Sequence, residues 1–363
     1  MAIQEVTSTA KAFYRNHGCR VKEYAYQNQR LLLLENEFLS VGVLADKGAD
    51  IFEFLYKPTD TEFLLHAPRG IRTPVMHSPS PTWGTFLDYY EGGWQEILPN
   101  GGTACTYKGI EFGFHDEIST IPWEYHVDAN TPDEVQVTLG VRPSRTPFHL
   151  RRSMTLRTGE PVLVIDETLT NEGSETMEFM WGHHPAFGAP FLSPDCRVDL
   201  PAGDLILETC KGGAGTRLSG GRHRWPVAVN DSTTSVDFSR PDPPGSGHED
   251  LGYVVNLTEG WYAITNQSLK VGFAMTWPLE VFPYLWVWRQ FNKSAGYPWY
   301  GQVYTMALEP WSSYPSAGLL SAIRNNTAAK LEKSQSVSVT LRAVAYRGLQ
   351  LVSHVTPNGE VEA

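Results

Sequence analysis

The chain has 363 residues, 41% hydrophobic and 19% charged, an ordinary globular composition with room for a large buried core. Its formal charge of −11, unbroken by any basic cluster, argues against nucleic acid or anionic lipid as a partner. No run of about 18 apolar residues occurs and the first residues carry no apolar signal core, so a cytoplasmic protein is expected, away from membranes.

Short alternating segments dominate the chain. Leu31–Leu34, Leu39–Leu44 and Ile51–Tyr56 are apolar runs separated by Glu35-Asn36-Glu37 and Asp46-Lys47-Gly48, which predicts three strands joined by turns. Val135–Val141, His149–Leu156, Val162–Leu169 and Met177–His184 are predicted strands of the same kind. The breaks between the last three carry Gly, Pro, Asn and Ser, the residues of turns. Ser239–Gly247, reading SRPDPPGSG, is expected as a long surface loop rather than a linker between domains. Helical signals are confined to Leu319–Arg324 and Thr327–Lys333. Val337, Val339 and Leu341 then alternate with Ser338 and Thr340, the pattern of a half-buried strand. Many short strands with few helices predict an all-β fold, a large antiparallel β-sandwich forming one domain over 1–363. Cys19, Cys105, Cys196 and Cys210 are widely spaced and fit neither a zinc knuckle nor a disulfide scaffold, so free thiols are expected.

Four segments gather polar groups among aromatics and glycines: Gly92–Gly102, Phe112–Trp123, Met180–Gly188 and Ala307–Leu319. If Met177–His184 is one strand, Gly182 and His184 share a face and Trp181 and His183 share the other. Gly182 would leave space beside His184 for a ligand, whereas His183 beside Trp181 reads as a packing residue. Along Tyr304–Glu309, the small Thr305 and Ala307 share a face with Glu309 and predict a hollow. A carboxylate at that strand end, desolvated near Trp311 and Tyr314, would have a raised pKa suited to a base. His115 lies between Phe114 and Asp116. Two imidazoles and a carboxylate are also a known zinc set, but no pair has the i, i+4 spacing of a helical site, so no metal is expected. Gly92–Gly102 supplies Trp94, Gln95, Glu96 and Asn100 as candidate hydrogen-bonding groups. It matches neither a phosphate loop nor a dinucleotide fingerprint, and no cofactor is expected.

Taken in order, these segments resemble the aldose 1-epimerase (galactose mutarotase-like) superfamily, from LSVGVLADKGADIFEFLYK to ALEPWSSYPSAGL. The resemblance places the family's two histidines at His115 in FHDEISTIPW and His184 in HPAF, and its late glutamate at Glu309 in LEPWSSYP. It implies a cofactor-free isomerase of carbohydrate metabolism acting on a small-molecule sugar, with Glu309 as base, protonated His184 as acid, and His115 holding the ring oxygen or a neighbouring hydroxyl. The chain departs from the family where an arginine commonly precedes the first histidine. LPNGG stands there, with Asn100. The family's substrate-binding aspartate has no match.

For substrate contacts, Trp286 and Trp288 in FPYLWVWRQF share a strand face and would either stack on a sugar or fill the space between sheets. Arg72 and Arg69 in HAPRGIRTP are alternative hydroxyl or anion contacts. Two rival readings remain open. A phosphorylated, sulfonated or acidic sugar would need Arg69, Arg72, Arg289 or Lys293 to converge. A non-catalytic carbohydrate-binding protein on the same fold would need no acid–base pair. A homodimer is compatible with the sequence.

Overall fold

A computed structural model of the chain describes residues 17–72, 84–207, 218, 220–229, 235–293 and 295–363. Among these, the strands form one fourteen-stranded and one eight-stranded antiparallel sheet, with three two-stranded ribbons beside them. The predicted meander is present: Gln29–Glu35, Leu39–Leu44 and Asp50–Tyr56 lie side by side in the large sheet. Glu134–Val141, Phe148–Arg157, Val162–Asn171 and Ser336–Arg347 belong to the smaller one. Its strands Glu134–Val141 and Val162–Asn171 alternate strictly between buried and partly exposed residues, the mark of a sheet with one face in the core. The two sheets pack face to face. Phe273 of the smaller sheet meets Phe54 and Phe187 of the larger at ring separations of 5.2 and 5.1 Å.

Three expectations change. The predicted strand Met177–His184 is two strands. Met177–Phe179 pairs with Ala329–Leu331, while Gly182–Gly188 enters the large sheet. At the break, the Met180 amide donates to the Pro99 carbonyl and the Trp181 amide to Ser312 Oγ, so neither residue is free for a ladder. Thr327–Lys333 is not a helix; its centre is the strand Ala329–Leu331 that pairs with Met177–Phe179. A short helix at Gly84–Asp88 was not signalled by any apolar period. Leu319–Arg324 is helical as expected. Ser239–Gly247 joins two strands of the same large sheet, as a surface loop would. Cys19 and Cys196 are free and buried, Cys105 is free and half-buried, and Cys210 lies outside the described residues.

The middle of the large sheet positions the site. The strands Trp94–Ile97, Gly182–Gly188, Tyr304–Trp311 and Tyr284–Phe291 run there in that spatial order. Gly182 pairs with Trp311 and Ala186 with Ala307, a register that sets His184 beside Glu309. Gln95 pairs with His184 on one side, and Trp286 with Glu309 on the other. Paired residues point to the same face. The result is a lateral row, Gln95, His184, Glu309 and Trp286, on the face turned away from the smaller sheet.

Candidate active site

His184 Nε2 lies 3.5 Å from Glu309 Oε1, and both residues are almost fully buried. The other carboxylate oxygen, Oε2, accepts a hydrogen bond of 2.9 Å from the indole Nε1 of Trp311, two residues along the same strand. The Trp311 ring occupies the space left by two glycines: a Cβ would fall 2.2 Å from it at Gly182 and 2.5 Å at Gly101. The space expected beside His184 is therefore filled by the indole that holds Glu309. Trp286, stacked on Trp311 at 4.1 Å, backs the indole and donates its own N–H to the Ser313 carbonyl.

His115 comes from the loop after the strand Ile110–Phe112 and has a positive φ of 50°. Histidine is among the residues that tolerate this region, at some cost in strain. Its Nδ1 accepts the Gly102 amide at 3.0 Å, so in the neutral ring the proton sits on Nε2. Burial, with a smaller contribution from His184, holds His115 well below the usual histidine range. It is a neutral N–H donor whose ring centre lies 5.5 Å from that of His184.

Burial also shifts the central pair, in opposite directions. Glu309 is pushed up to about 8, against the opposing Trp311 hydrogen bond, and His184 is pulled down to about 4. At neutral pH the pair holds one proton, and desolvation places it on the carboxyl. This is the reverse of the resting state that a carboxylate base and an imidazolium acid require. At 3.5 Å an ion pair is also geometrically open, but charging both groups in so dry a setting needs further hydrogen bonds, such as those from a ligand's hydroxyls.

Aromatic rings close over the pair. Phe86 lies 4.8 Å from His115 and 6.2 Å from His184, Tyr90 lies 5.9 Å from His184, and Trp288 lies 5.7 Å from it. Trp299 bridges Tyr90 and Trp288 at 5.5 and 5.7 Å. At the rim, Tyr297 donates to Asp88 at 3.0 Å, tying the loop of Trp299 to the helix of Phe86. The Arg69 guanidinium sits 5.5 Å from both the Tyr297 and Tyr300 rings.

The other candidate residues divide between the two faces. Gln95 is on the His184 face. Trp94 and Glu96, one residue to either side, point between the sheets with His183. Trp94 donates to His183 Nδ1 at 3.2 Å, and His183 Nε2 meets Glu167 at 3.1 Å. Glu96 accepts from Trp181 Nε1 at 2.7 Å and pairs with Arg152 at 3.3 Å. Neither Trp94 nor Glu96 faces a ligand, because strand alternation turns them into the core; His183 is a packing residue, as the sequence indicated. Asn100 is likewise structural. Its amide donates to the carbonyls of Thr103 and Gly113, and its oxygen accepts from Leu319 N and Cys105 Sγ, which uses its capacity on backbone and loop contacts.

Trp286 is the wall behind Trp311, while Trp288 stands against His184, so neither fills the space between the sheets. Arg72 is exposed, and its carbonyl is held by Gln29 in a strand four places along the sheet from His184. Arg289 is fully buried with Asp242 and the Arg240 carbonyl. Lys293 is exposed. The convergence of cations that an anionic sugar calls for is not found among these residues.

Among the described residues, one group brings metal-capable atoms together: Glu96, Glu167 and His183, within 4.8 Å of one another. Here the Arg152 guanidinium already supplies the positive charge. Burial raises Glu96 to about 8 and Glu167 to about 7, so the guanidinium and a shared proton meet much of the cluster's charge.

The sequence reading missed Tyr90, Phe86 and Trp299, and it took Lys47 for part of a turn. Lys47 is buried and paired with Asp50, and with Glu91 at 2.7 Å. A lysine between Asp46 and Gly48 reads as solvated turn chemistry. Only the tertiary placement of Glu91 reveals it as an interior ion pair.

Residues 27–217 match the model of a family described as a domain of unknown function, DUF4432. The chain belongs to that family. No curated protein matches the sequence. Among solved structures, a protein from Klebsiella pneumoniae described provisionally as an aldose 1-epimerase is 14% identical with a TM-score of 0.67, covering 93% of this chain and 86% of its own. A galactose mutarotase-like protein from Clostridium acetobutylicum is 15% identical with a TM-score of 0.61, covering 91% and 99%. A second galactose mutarotase-like protein, from Lactobacillus casei, is 16% identical with a TM-score of 0.56, covering 87% and 100%. These likenesses establish that this DUF4432 protein has the galactose mutarotase-like fold. No helix among its described residues is long and apolar enough to cross a membrane.

Proposed function

We propose that this protein interconverts the α and β anomers of an aldose by opening and reclosing the sugar ring. The observation that carries the reading is the cross-strand pair itself: a carboxylate oxygen and an imidazole nitrogen 3.5 Å apart, both desolvated, with a neutral histidine donor beside them. Mutarotation takes one proton from the anomeric hydroxyl and gives one to the ring oxygen. The C1–O5 bond breaks, the chain rotates about C1–C2, and closure returns both protons. A pair that holds one proton suffices, because whichever member is bare accepts and the other donates.

From the resting state, His184 takes the O1 proton while Glu309 donates to the ring oxygen. If hydroxyls of the bound sugar stabilise the ion pair, the roles exchange and Glu309 is the base. Either route leaves the pair with one proton again. His115 Nε2–H would hold the ring oxygen or a neighbouring hydroxyl. Positioned acid–base groups give roughly 10²–10⁴-fold each, enough for a reaction that already runs slowly in water. Because Glu309 is only 1% exposed, the sugar enters when the rings of Phe86, Tyr90 and Trp299 part.

Exchange NMR of the anomeric protons across a panel of neutral and anionic sugars tests the reading. At least one sugar should exchange faster with the wild-type protein, and Glu309→Gln should abolish the acceleration. Acceleration that survives Glu309→Gln removes Glu309 from its role. No acceleration with any sugar removes the reading and leaves carbohydrate binding alone.

A further inference from the structure

Beside the central pair lies a group of buried polar residues that the chemistry described above does not use. Gln95 is fully buried next to His184 in the lateral row. Its Nε2 donates to the Gly92 carbonyl at 2.6 Å, with Glu91 Oε1 at 3.3 Å and Asp50 Oδ2 at 3.4 Å also in reach. Three oxygens around one end fix the amide orientation, since a flip would set oxygen against oxygen. Its Oε1 is left as a buried acceptor with no protein partner.

Tyr90 is only 3% exposed, and its hydroxyl also has no protein partner. The hydroxyl lies in the field of three carboxyls, that of Glu309 and those of Glu91 and Asp50 beside Lys47. Burial first, and these carboxylates second, hold it well above the usual tyrosine range, so it remains a donor. A buried polar group without a partner is costly, and two of them, Tyr90 against the His184 ring and Gln95 paired with His184 across the strands, point to a ligand that meets both.

We propose that the Tyr90 hydroxyl and the Gln95 carbonyl, held in place by Lys47, Asp50 and Glu91, contact substrate directly and read the sugar hydroxyls that flank the reacting C1–O5 bond, those on C2 and C6. The inference rests on the mutarotase reading of the pair. A hydroxyl suits both groups, since it can accept from Tyr90 and donate to Gln95. A charged group on the ligand suits neither, because the Lys47 ammonium already faces the Asp50 and Glu91 carboxyls and offers no spare positive charge. The lysine is a positioning residue: it holds Glu91 and Asp50, which hold the Gln95 amide.

The test compares D-glucose and D-galactose with their 2-deoxy and 6-deoxy analogues, in wild type, Tyr90→Phe and Gln95→Met. Anomer exchange is read by NMR, and binding by saturation transfer on the same samples. A site built around a hydroxyl penalises its loss, so wild type should turn over one deoxy analogue about tenfold to a hundredfold less well in kcat/KM than its parent. In Tyr90→Phe that discrimination should vanish, because the partner is gone from both sides. A variant that merely disturbs the fold would slow parent and analogues by one common factor, and that result overturns the proposal for Tyr90. Gln95→Met is read the same way for its own hydroxyl, so failure of one variant to fold leaves the other decisive. If no sugar exchanges with wild type, the mutarotase reading fails and binding decides the arm. Discrimination between parent and deoxy sugar that is lost in either variant supports it, and equal binding of parent and analogue to wild type overturns it.

Discussion

Replacing Trp311 by Phe keeps an aromatic ring between Gly101, Gly182 and Trp286 but deletes the one side-chain hydrogen bond that opposes the upward shift of Glu309. A hydrogen bond to a charged group is worth about 1.5–3 kcal/mol, and one pKa unit corresponds to about 1.4 kcal/mol. Losing it should raise the carboxyl by about one to two units. In the proposed reaction the pair carries its single working proton between the value near 4 for His184 and the value near 8 for Glu309. Below that window both groups are protonated and no base remains; above it both are bare and no acid remains. The wild-type pH–rate profile should therefore be a bell with limbs near 4 and 8, reporting the pair rather than either residue alone. In Trp311→Phe the upper limb should move to about 9–10, with the lower limb little changed. Anomer exchange across pH measures the limbs, and the carbon-13 shift of the Glu309 carboxyl reports its titration directly. An upper limb that stays in place or falls would refute the assignment of that limb to Glu309.

Other outcomes follow from the same contacts. Gly182→Ala places a methyl 2.2 Å from the Trp311 ring; it should cost about 1–3 kcal/mol by denaturant unfolding and should disturb the pair through the displaced indole. Arg152→Met leaves the buried Glu96 and Glu167 without their cation and should destabilise the fold by about 3–5 kcal/mol, again by denaturant titration. Asn100→Ala should lower stability by about 2–4 kcal/mol through lost loop contacts while leaving the ranking of sugars unchanged, which an exchange panel would show.

How far the sequence could be read is clearest at the adjacent histidines. Alternation correctly parted His183 from His184 and Trp286 and Trp288 from Arg289, because period two is a property of any extended chain. It could not say which face of the sheet is which. Trp94 and Glu96 were assigned to a ligand face because their segment is polar and glycine-rich, yet only the second sheet decides that they point inward, against Arg152 and His183. The order His115, His184, Glu309 was legible from the resemblance, and the register of two distant strands is what makes neighbours of the last two. Tyr90 and Lys47 were not legible. Their neighbourhood is assembled from the turn before Asp50–Tyr56, the helix at Gly84–Asp88 and the strand Trp94–Ile97, and no local pattern encodes that meeting.

The same buried carboxyls make a pH argument about the whole fold. Burial lifts Glu62, Glu96 and Glu309 to about 8 and Glu167 to about 7, above the ordinary 4.5 of an unfolded glutamate. The buried histidines His115, His183 and His184 shift the other way, below the ordinary 6.5. Between about 4 and 6.5 the two sets oppose each other, the folded state binding more carboxyl protons and fewer imidazole protons than the unfolded chain. Above 6.5 the histidines are largely bare in both states and the carboxyls alone remain. There the folded protein holds protons that the unfolded chain has lost, so stability must fall as pH rises through 7 and 8. Unfolding midpoints measured at pH 6.5, 7.5 and 8.5 should decline in that order, and Glu96→Gln, which keeps the Trp181 contact but no longer titrates, should flatten the slope. A midpoint that rises over this range would mean that the buried carboxyls are ionised at neutral pH. The working proton of the Glu309–His184 pair would then have to reside on His184.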